Sequence, residues 1–242
     1  MDWMLTKRRL VILSLLVCAV SARAQMHTPY VDDKIVHFGF SLGMNLMSYY
    51  VQDSQQKVDG ELYHARVSNL MPGFSVGFIA DLRLARYLNL RFCPGLHFGQ
   101  KTVAYKNESG NPIRGSIDSH RDKAEVLSLP VSVPFYLKWS AEREMNYRPY
   151  LIVGGGFHYD FGGQKERVLY QKNWDYFIDF GFGCDFYTGW FKFCPELKYQ
   201  IGFANMITPV DERVNLPKQD EFYTLALRRL TNQMLTLTFN FE

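Results

Sequence analysis

The sequence predicts an all-β protein: an eight-stranded antiparallel transmembrane β-barrel with up-and-down meander topology. Three observations predict it. Apolar and polar residues alternate with a period of two in eight separate segments from Lys34 onward, the pattern of strands with two unlike faces. Each segment is long enough for the roughly 9 to 11 residues that a tilted strand needs to cross a hydrocarbon core. The links between segments alternate short and long, as in outer-membrane barrels, where periplasmic turns are short and extracellular loops long.

The first element is a targeting pattern. Lys7-Arg8-Arg9 precedes an apolar stretch from Leu10 to Val20 broken only by Ser14, and Ala22-Arg23-Ala24 then meets Gln25. A basic region, a short apolar region and an A-x-A site make a secretory signal peptide, too short in its apolar part to anchor in a bilayer. Cleavage is expected between Ala24 and Gln25, which divides the chain into residues 1–24 as signal, 25–33 as a periplasmic N-terminal segment and 34–242 as the barrel. Lipidation at Cys18 is the alternative, but Val17 stands where a lipoprotein signal prefers a small residue. Loss of the signal removes four bases and Asp2, taking 27 basic and 24 acidic residues to 23 of each.

The strands follow in order, each with an apolar set facing one way. Val36 to Leu46 sets Phe38, Phe40, Leu42 and Met44 against His37, Gly39, Ser41, Gly43 and Asn45. Phe74 to Leu84 sets Val76, Phe78 and Leu82 against Ser75, Gly77, Ile79, Asp81 and Arg83. Leu88 to Phe98 opposes Leu90, Phe92 and Leu96 to Arg91, Cys93, Gly95 and His97. Leu127 to Trp139 opposes Val131, Val133, Phe135 and Leu137 to Ser132, Tyr136 and Lys138. Leu151 to Phe161 opposes Val153, Phe157 and Tyr159 to Gly154, Gly156, His158 and Asp160. Tyr176 to Phe186 opposes Ile178, Phe180 and Phe182 to Asp179, Gly181, Gly183 and Asp185. Phe191 to Phe203 opposes Phe193, Leu197, Tyr199 and Ile201 to Lys192, Cys194, Glu196 and Lys198. The last strand opposes Leu235, Leu237, Phe239 and Phe241 to Met234, Thr236, Thr238 and Asn240. Short links fall near 85–87, 140–148 and 187–190, long polar ones near 47–70, 101–124, 162–173 and 204–230. Upstream of Thr231, alternation at Tyr223, Leu225 and Leu227 leaves two options, a longer last strand or a short helix.

Volume decides which face meets lipid. An eight-stranded barrel encloses a space that its inward side chains only just fill. The bulky apolar set does not fit there, whereas the set rich in Gly and Ser with scattered charges does. Aromatics gather toward strand ends, as a bilayer interface favours. Pro94, Pro130, Pro134 and Pro195 count against an unbroken ladder, since proline removes a donor, and bulges or local irregularity are expected at them.

Composition excludes other classes. With 47% hydrophobic and 16% aromatic residues the chain is too apolar for a disordered polymer, and four cysteines in 242 residues are too few for a disulfide scaffold. No apolar run is long enough for a membrane helix. A formal charge of +3 gives no reason to expect a nucleic-acid partner.

Cys93, Cys184 and Cys194 outlast the signal; their odd number and spacing point to neither a disulfide framework nor a zinc site, and small buried residues on strands are expected. The Arg91-Phe92-Cys93-Pro94 and Lys192-Phe193-Cys194-Pro195 runs form a weak repeat, from hairpin duplication or from the physical sameness of hairpins. His37, His97 and His158 share the lumen with Asp81, Asp160, Asp179 and Asp185, which makes a metal or acid/base site conceivable, but no H-E-x-x-H or close His pair occurs. Buried carboxylates and bases more often neutralise each other. Asp81, Arg83, Arg91, Lys138, Asp160, Asp179, Asp185, Lys192, Glu196 and Lys198 are therefore expected to form a structural charge network, with no catalytic, cofactor or metal site. Gly154-Gly155-Gly156 lacks the following helix of a phosphate loop.

Several motifs together resemble the PorT-type outer-membrane β-barrel proteins of the type IX secretion system, over nearly the whole mature chain. They are Phe38-Gly39-Phe40-Ser41-Leu42-Gly43-Met44-Asn45, Pro72-Gly73-Phe74-Ser75-Val76-Gly77 with Asp81-Leu82-Arg83-Leu84, Tyr87-Leu88-Asn89-Leu90-Arg91-Phe92, Leu129-Pro130-Val131-Ser132-Val133-Pro134, and Arg148-Pro149-Tyr150-Leu151. The closing Leu237-Thr238-Phe239-Asn240-Phe241 looks like a barrel-assembly signal, with Glu242 following the aromatic. The resemblance implies a non-enzymatic outer-membrane component needed for export of proteins with a C-terminal secretion signal, including secreted proteases. Its partners would be outer-membrane lipid and other type IX translocon components. The alternatives are a generic small barrel in envelope integrity or adhesion, and a hydrolase at the lumen rim.

Overall fold

The structure, a computed structural model, describes residue 32 and residues 34–54, 63–67, 70–107, 123–162, 171–208 and 227–242. The signal and its cleavage point at Ala24 and Gln25 lie outside the described residues. Eleven strands are described: β1 (Val36–Asp53), β2 (Tyr63–Val67), β3 (Pro72–Ala85), β4 (Leu88–Phe92), β5 (Gly95–Asn107), β6 (Lys123–Ser128), β7 (Pro130–Ser140), β8 (Tyr147–Asp160), β9 (Trp174–Tyr187), β10 (Lys192–Gly202) and β11 (Leu227–Phe241). Each described pairing is antiparallel, and β1 bonds to both β3 and β11, which closes the sheet. Around the ring β4 with β5 makes one barrel strand and β6 with β7 another, giving eight positions in a meander.

The two breaks come from proline. Between β4 and β5, Cys93 and Pro94 leave the ladder, yet the register toward β3 and β7 is the same before and after them. Leu129 separates β6 from β7 in the same way, ahead of Pro130. Pro134 stays in register opposite Gly156, and Pro195 opposite Phe239. Proline thus costs local donors without inserting a residue: the expected irregularity is present as gaps in the ladder at Pro94, ahead of Pro130 and, toward β9, at Cys194 and Pro195, without a bulge at any of them. The register shifts are at Gln52/Asp53 and Arg83/Ala85, toward strand ends, where bulges are common.

The apolar set faces outward. Phe38, Phe78, Phe135, Trp139, Leu151, Phe157 and Phe182 are exposed, while Asn45, Asp81, Arg91, Lys138, Asp185 and Glu196 are buried in the lumen. A water-soluble barrel would reverse these faces. No helix among the described residues is long and apolar enough to cross a membrane, and the crossing is made by strands, whose backbone groups a closed barrel satisfies.

Both ends of the barrel chain lie beside the short turns, which face the periplasm in an outer-membrane barrel. At the opposite end β1, β5 and β11 run further than the sequence suggested. Stretches read from sequence as loops at 47–53, 101–107 and 227–230 are strand, and β2 adds to β5 there; the last strand is extended, not helical. The phase of alternation persists, but the chemistry of the inward face switches: β1 turns from Ser41 and Asn45 to Met47 and Tyr49, and β5 from Lys101 to Val103 and Tyr105. Tyr49, Ala65, Val103, Tyr105, Met206 and Leu230 pack as a small apolar core. Beyond the bilayer water replaces lipid outside, so apolar side chains turn in.

Candidate functional site in the lumen

The periplasmic half of the lumen holds a closed set of ion pairs. Arg91 on β4 is fully buried and donates to Asp81 on β3 (2.8 Å), Glu196 on β10 (3.2 Å) and Glu242 after β11 (2.5 Å). Lys138 bridges both oxygens of Asp185 at 2.9 and 2.7 Å, Lys192 pairs with Glu242, and Lys198 pairs with Glu196 at 2.9 Å. Four cations thus face four carboxylates. Tyr150 donates to Glu196 at 2.7 Å and carries the Lys138 ammonium 4.0 Å from its ring centroid. Taking so many charges out of water is tolerable only because each has partners on neighbouring or facing strands.

Small residues make the room. A Cβ at Gly183 would lie 2.5 Å from the Tyr150 ring and its hydroxyl, and one at Gly154 would lie 2.5 Å from the Tyr136 ring. Glycine on β8 and β9 lets the two tyrosines lie across the lumen.

Not every residue expected in the network joins it. Asp160 accepts from the Ser128 hydroxyl and from the backbone amides of Leu129 and Gly162, and Asp179 accepts from Tyr136. Both carboxylates are therefore held by hydrogen bonds rather than by a close cation. Arg83 reaches the periplasmic rim, where it donates to the Asp32 carbonyl at 2.8 Å. The Asp32 carboxylate also accepts from Tyr187 at 2.7 Å and lies 3.5 and 3.7 Å from Arg143 and Arg148, so this residue crosses the mouth of the barrel. Glu242 was missed, although continuing Thr236, Thr238 and Asn240 by two places points it inward.

His97 and His158 line one small cavity, each with its own polar partners. His97 lies between Ser75 (2.8 Å) and Ser132 (2.9 Å). His158 contacts Gln200 and Asn232, stacks on Phe177, and stands 3.7 Å from Asp175. Toward the outer end Lys101 donates to Asn232 at 2.8 Å. Among the described residues no group of three His, Cys, Asp or Glu could hold a metal ion, and Cys93, Cys184 and Cys194 are free thiols.

Among the described residues the cavities found inside the lumen are small. A cavity of about 40 Å³ is lined by Ser41, Cys93, His97, Ser132, Asp179 and Lys198. Two further cavities hold about 10 Å³ each. A water needs about 10–15 Å³ of such space, so these hold a few waters and no extended peptide.

Two solved outer-membrane proteins show some similarity to the chain. Neisserial surface protein A is 12% identical, with 86% of this chain and 98% of that one aligned at a TM-score of 0.41. AlkL in DMPC bilayers is 13% identical over 84% of this chain and 88% of its own, at a TM-score of 0.39. No curated protein matches the chain. The family model described as outer membrane protein beta-barrel domain matches residues 23–208. The closed eight-position meander, its apolar exterior and this match together establish that the chain belongs to the outer-membrane β-barrel domain family and resides in the outer membrane.

Proposed function

We propose that this barrel is a non-enzymatic component of type IX protein secretion that supports or helps assemble a translocon rather than conducting cargo. The observation that carries the non-conducting part is the lumen, packed with ion pairs around Arg91 and left with cavities of about 40 and 10 Å³. A protein cannot pass through such a space, so the working surfaces are the outer wall, the periplasmic turns and the extracellular loops. Assignment to type IX export rests on the sequence motifs that resemble PorT-type barrels. In this reading residues 1–24 are removed on export, and the lumen charges are structural. Deleting the gene and measuring secreted protease activity tests the role. Loss of activity with cargo retained in the periplasm is expected, and normal secretion would refute it.

A second reading has its own observation. β1, β2, β5, β6 and β11 project past the bilayer around the core that holds Tyr49, Tyr105 and Leu230, an outward platform suited to adhesion or envelope integrity. Sensitivity to detergents or loss of surface attachment on deletion, with secretion intact, would favour it.

A further inference from the structure

On the outer wall at the periplasmic edge, β7 and β8 leave a groove of about 480 Å³, lined chiefly by Tyr87, Trp139, Ala141, Pro149, Leu151 and Phe182. It exists because small outward side chains, Ala141 and Pro149, stand between tall ones. Trp139 opposes Leu151, and Leu151 opposes Phe182, across adjacent strands, so the aromatic walls flank a low floor.

The rim is built rather than left to chance. Arg148 donates to the Ala141 carbonyl (2.8 Å) and the Arg86 carbonyl (2.9 Å), tying two turns together. Ser140 donates to the Tyr87 carbonyl at 2.9 Å and Ala141 to that of Pro149 at 2.9 Å. At the mouth, Glu142 lines the groove and pairs with Arg86 at 3.0 Å, with both side chains about three-quarters exposed, at 74% and 70%. The Arg86 guanidinium lies 5.1 Å from the Tyr87 ring centroid. An apolar slot at the depth where Trp and Tyr belts sit thus opens beside one exposed cation and one exposed anion that pair with each other.

We propose that this groove seats one zwitterionic glycerophospholipid of the periplasmic leaflet. An acyl chain lies between Trp139 and Phe182, the phosphate meets Arg86 and the headgroup ammonium meets Glu142. A purely apolar partner leaves the Arg86–Glu142 pair without purpose, and an anionic headgroup meets Glu142 with like charge. Arginine with an aromatic neighbour is suited to phosphate, and an exposed ion pair exchanges partners at little cost because it is itself worth little.

The test uses the mature chain refolded in detergent micelles, with native mass spectrometry during titration by phosphatidylethanolamine or phosphatidylglycerol. One phosphatidylethanolamine is expected to stay bound, preferred over phosphatidylglycerol by about fivefold, the worth of one exposed charge contact. Ala141→Trp fills the slot and abolishes retention. Arg86→Gln with Glu142→Gln, both on exposed side chains, keeps the fold and brings the preference to about one. The exchange Arg86→Glu with Glu142→Arg restores it. Equal retention of the two lipids by the unaltered chain, retention unaffected by Ala141→Trp, or lipid-free self-association that Ala141→Trp disrupts would each overturn the proposal.

Discussion

Replacing Arg91 with Met tests the lumen network most directly, because the side chain keeps much of its bulk and loses its charge together with the N–H donors that reach three carboxylates. Arg91 faces three carboxylates, of which Glu196 retains Lys198 and Glu242 retains Lys192. Asp81 loses its cation and keeps Asn89 as its close donor. Removing one partner of a buried pair costs about 3–5 kcal/mol. Because two of the three carboxylates remain paired, the lower end is expected, about 3 kcal/mol, or roughly two decades in the folded-to-unfolded ratio. Arg86→Met is the control, since its partner Glu142 is largely exposed and its loss should cost below about 1 kcal/mol. Urea titration of both variants in lipid vesicles, followed by tryptophan fluorescence and by the heat-modifiable gel shift, measures the difference. If Arg91→Met costs no more than Arg86→Met, the lumen is better solvated than its burial implies and the network is not what holds the barrel.

Three further outcomes are expected. Gly183→Val pushes the Tyr150 ring off Glu196 and should destabilise the barrel by about 1–3 kcal/mol, read from the same unfolding curves; an unchanged midpoint would mean Tyr150 has another place to lie. Phe135→Arg, near the middle of β7, should cost about 2–4 kcal/mol in a bilayer, while Trp139→Arg at the periplasmic edge should cost about 0–1; the reverse order would put the membrane at a different height on the barrel. In planar bilayers the refolded protein should give no steps of porin size, and long-lived large openings would show that the lumen network yields in the membrane.

Much of the barrel is legible in the sequence because a barrel in lipid keeps one face apolar at every second residue. Phe38 to Met44, Phe135 to Trp139 and Phe180 to Phe186 carry that signal without help from distant residues. Pairing of charges was less legible. Lys138 and Asp185 both point inward by alternation, but only the strand tilt and register bring them together across β8. Asp160 and Asp179 also point inward, and found hydroxyl and amide donors because those lay nearer than a cation. The strand extensions at 47–53 and 101–107 were hidden by a change of solvent: where water replaces lipid outside, the apolar residues change sides. A rule tuned to the bilayer then takes a continuing strand for a loop.

By itself the sequence determined the barrel, the outward direction of its apolar face and the crowding of its interior, since these follow from the period of two and the volume of eight strands. Only the tertiary structure decided that Arg91 sits among Asp81, Glu196 and Glu242, that Asp32 crosses the periplasmic mouth, and that a groove opens beside Arg86 and Glu142. Each depends on which residues from separate strands reach the same height, and that height is set by register and closure rather than by neighbours along the chain.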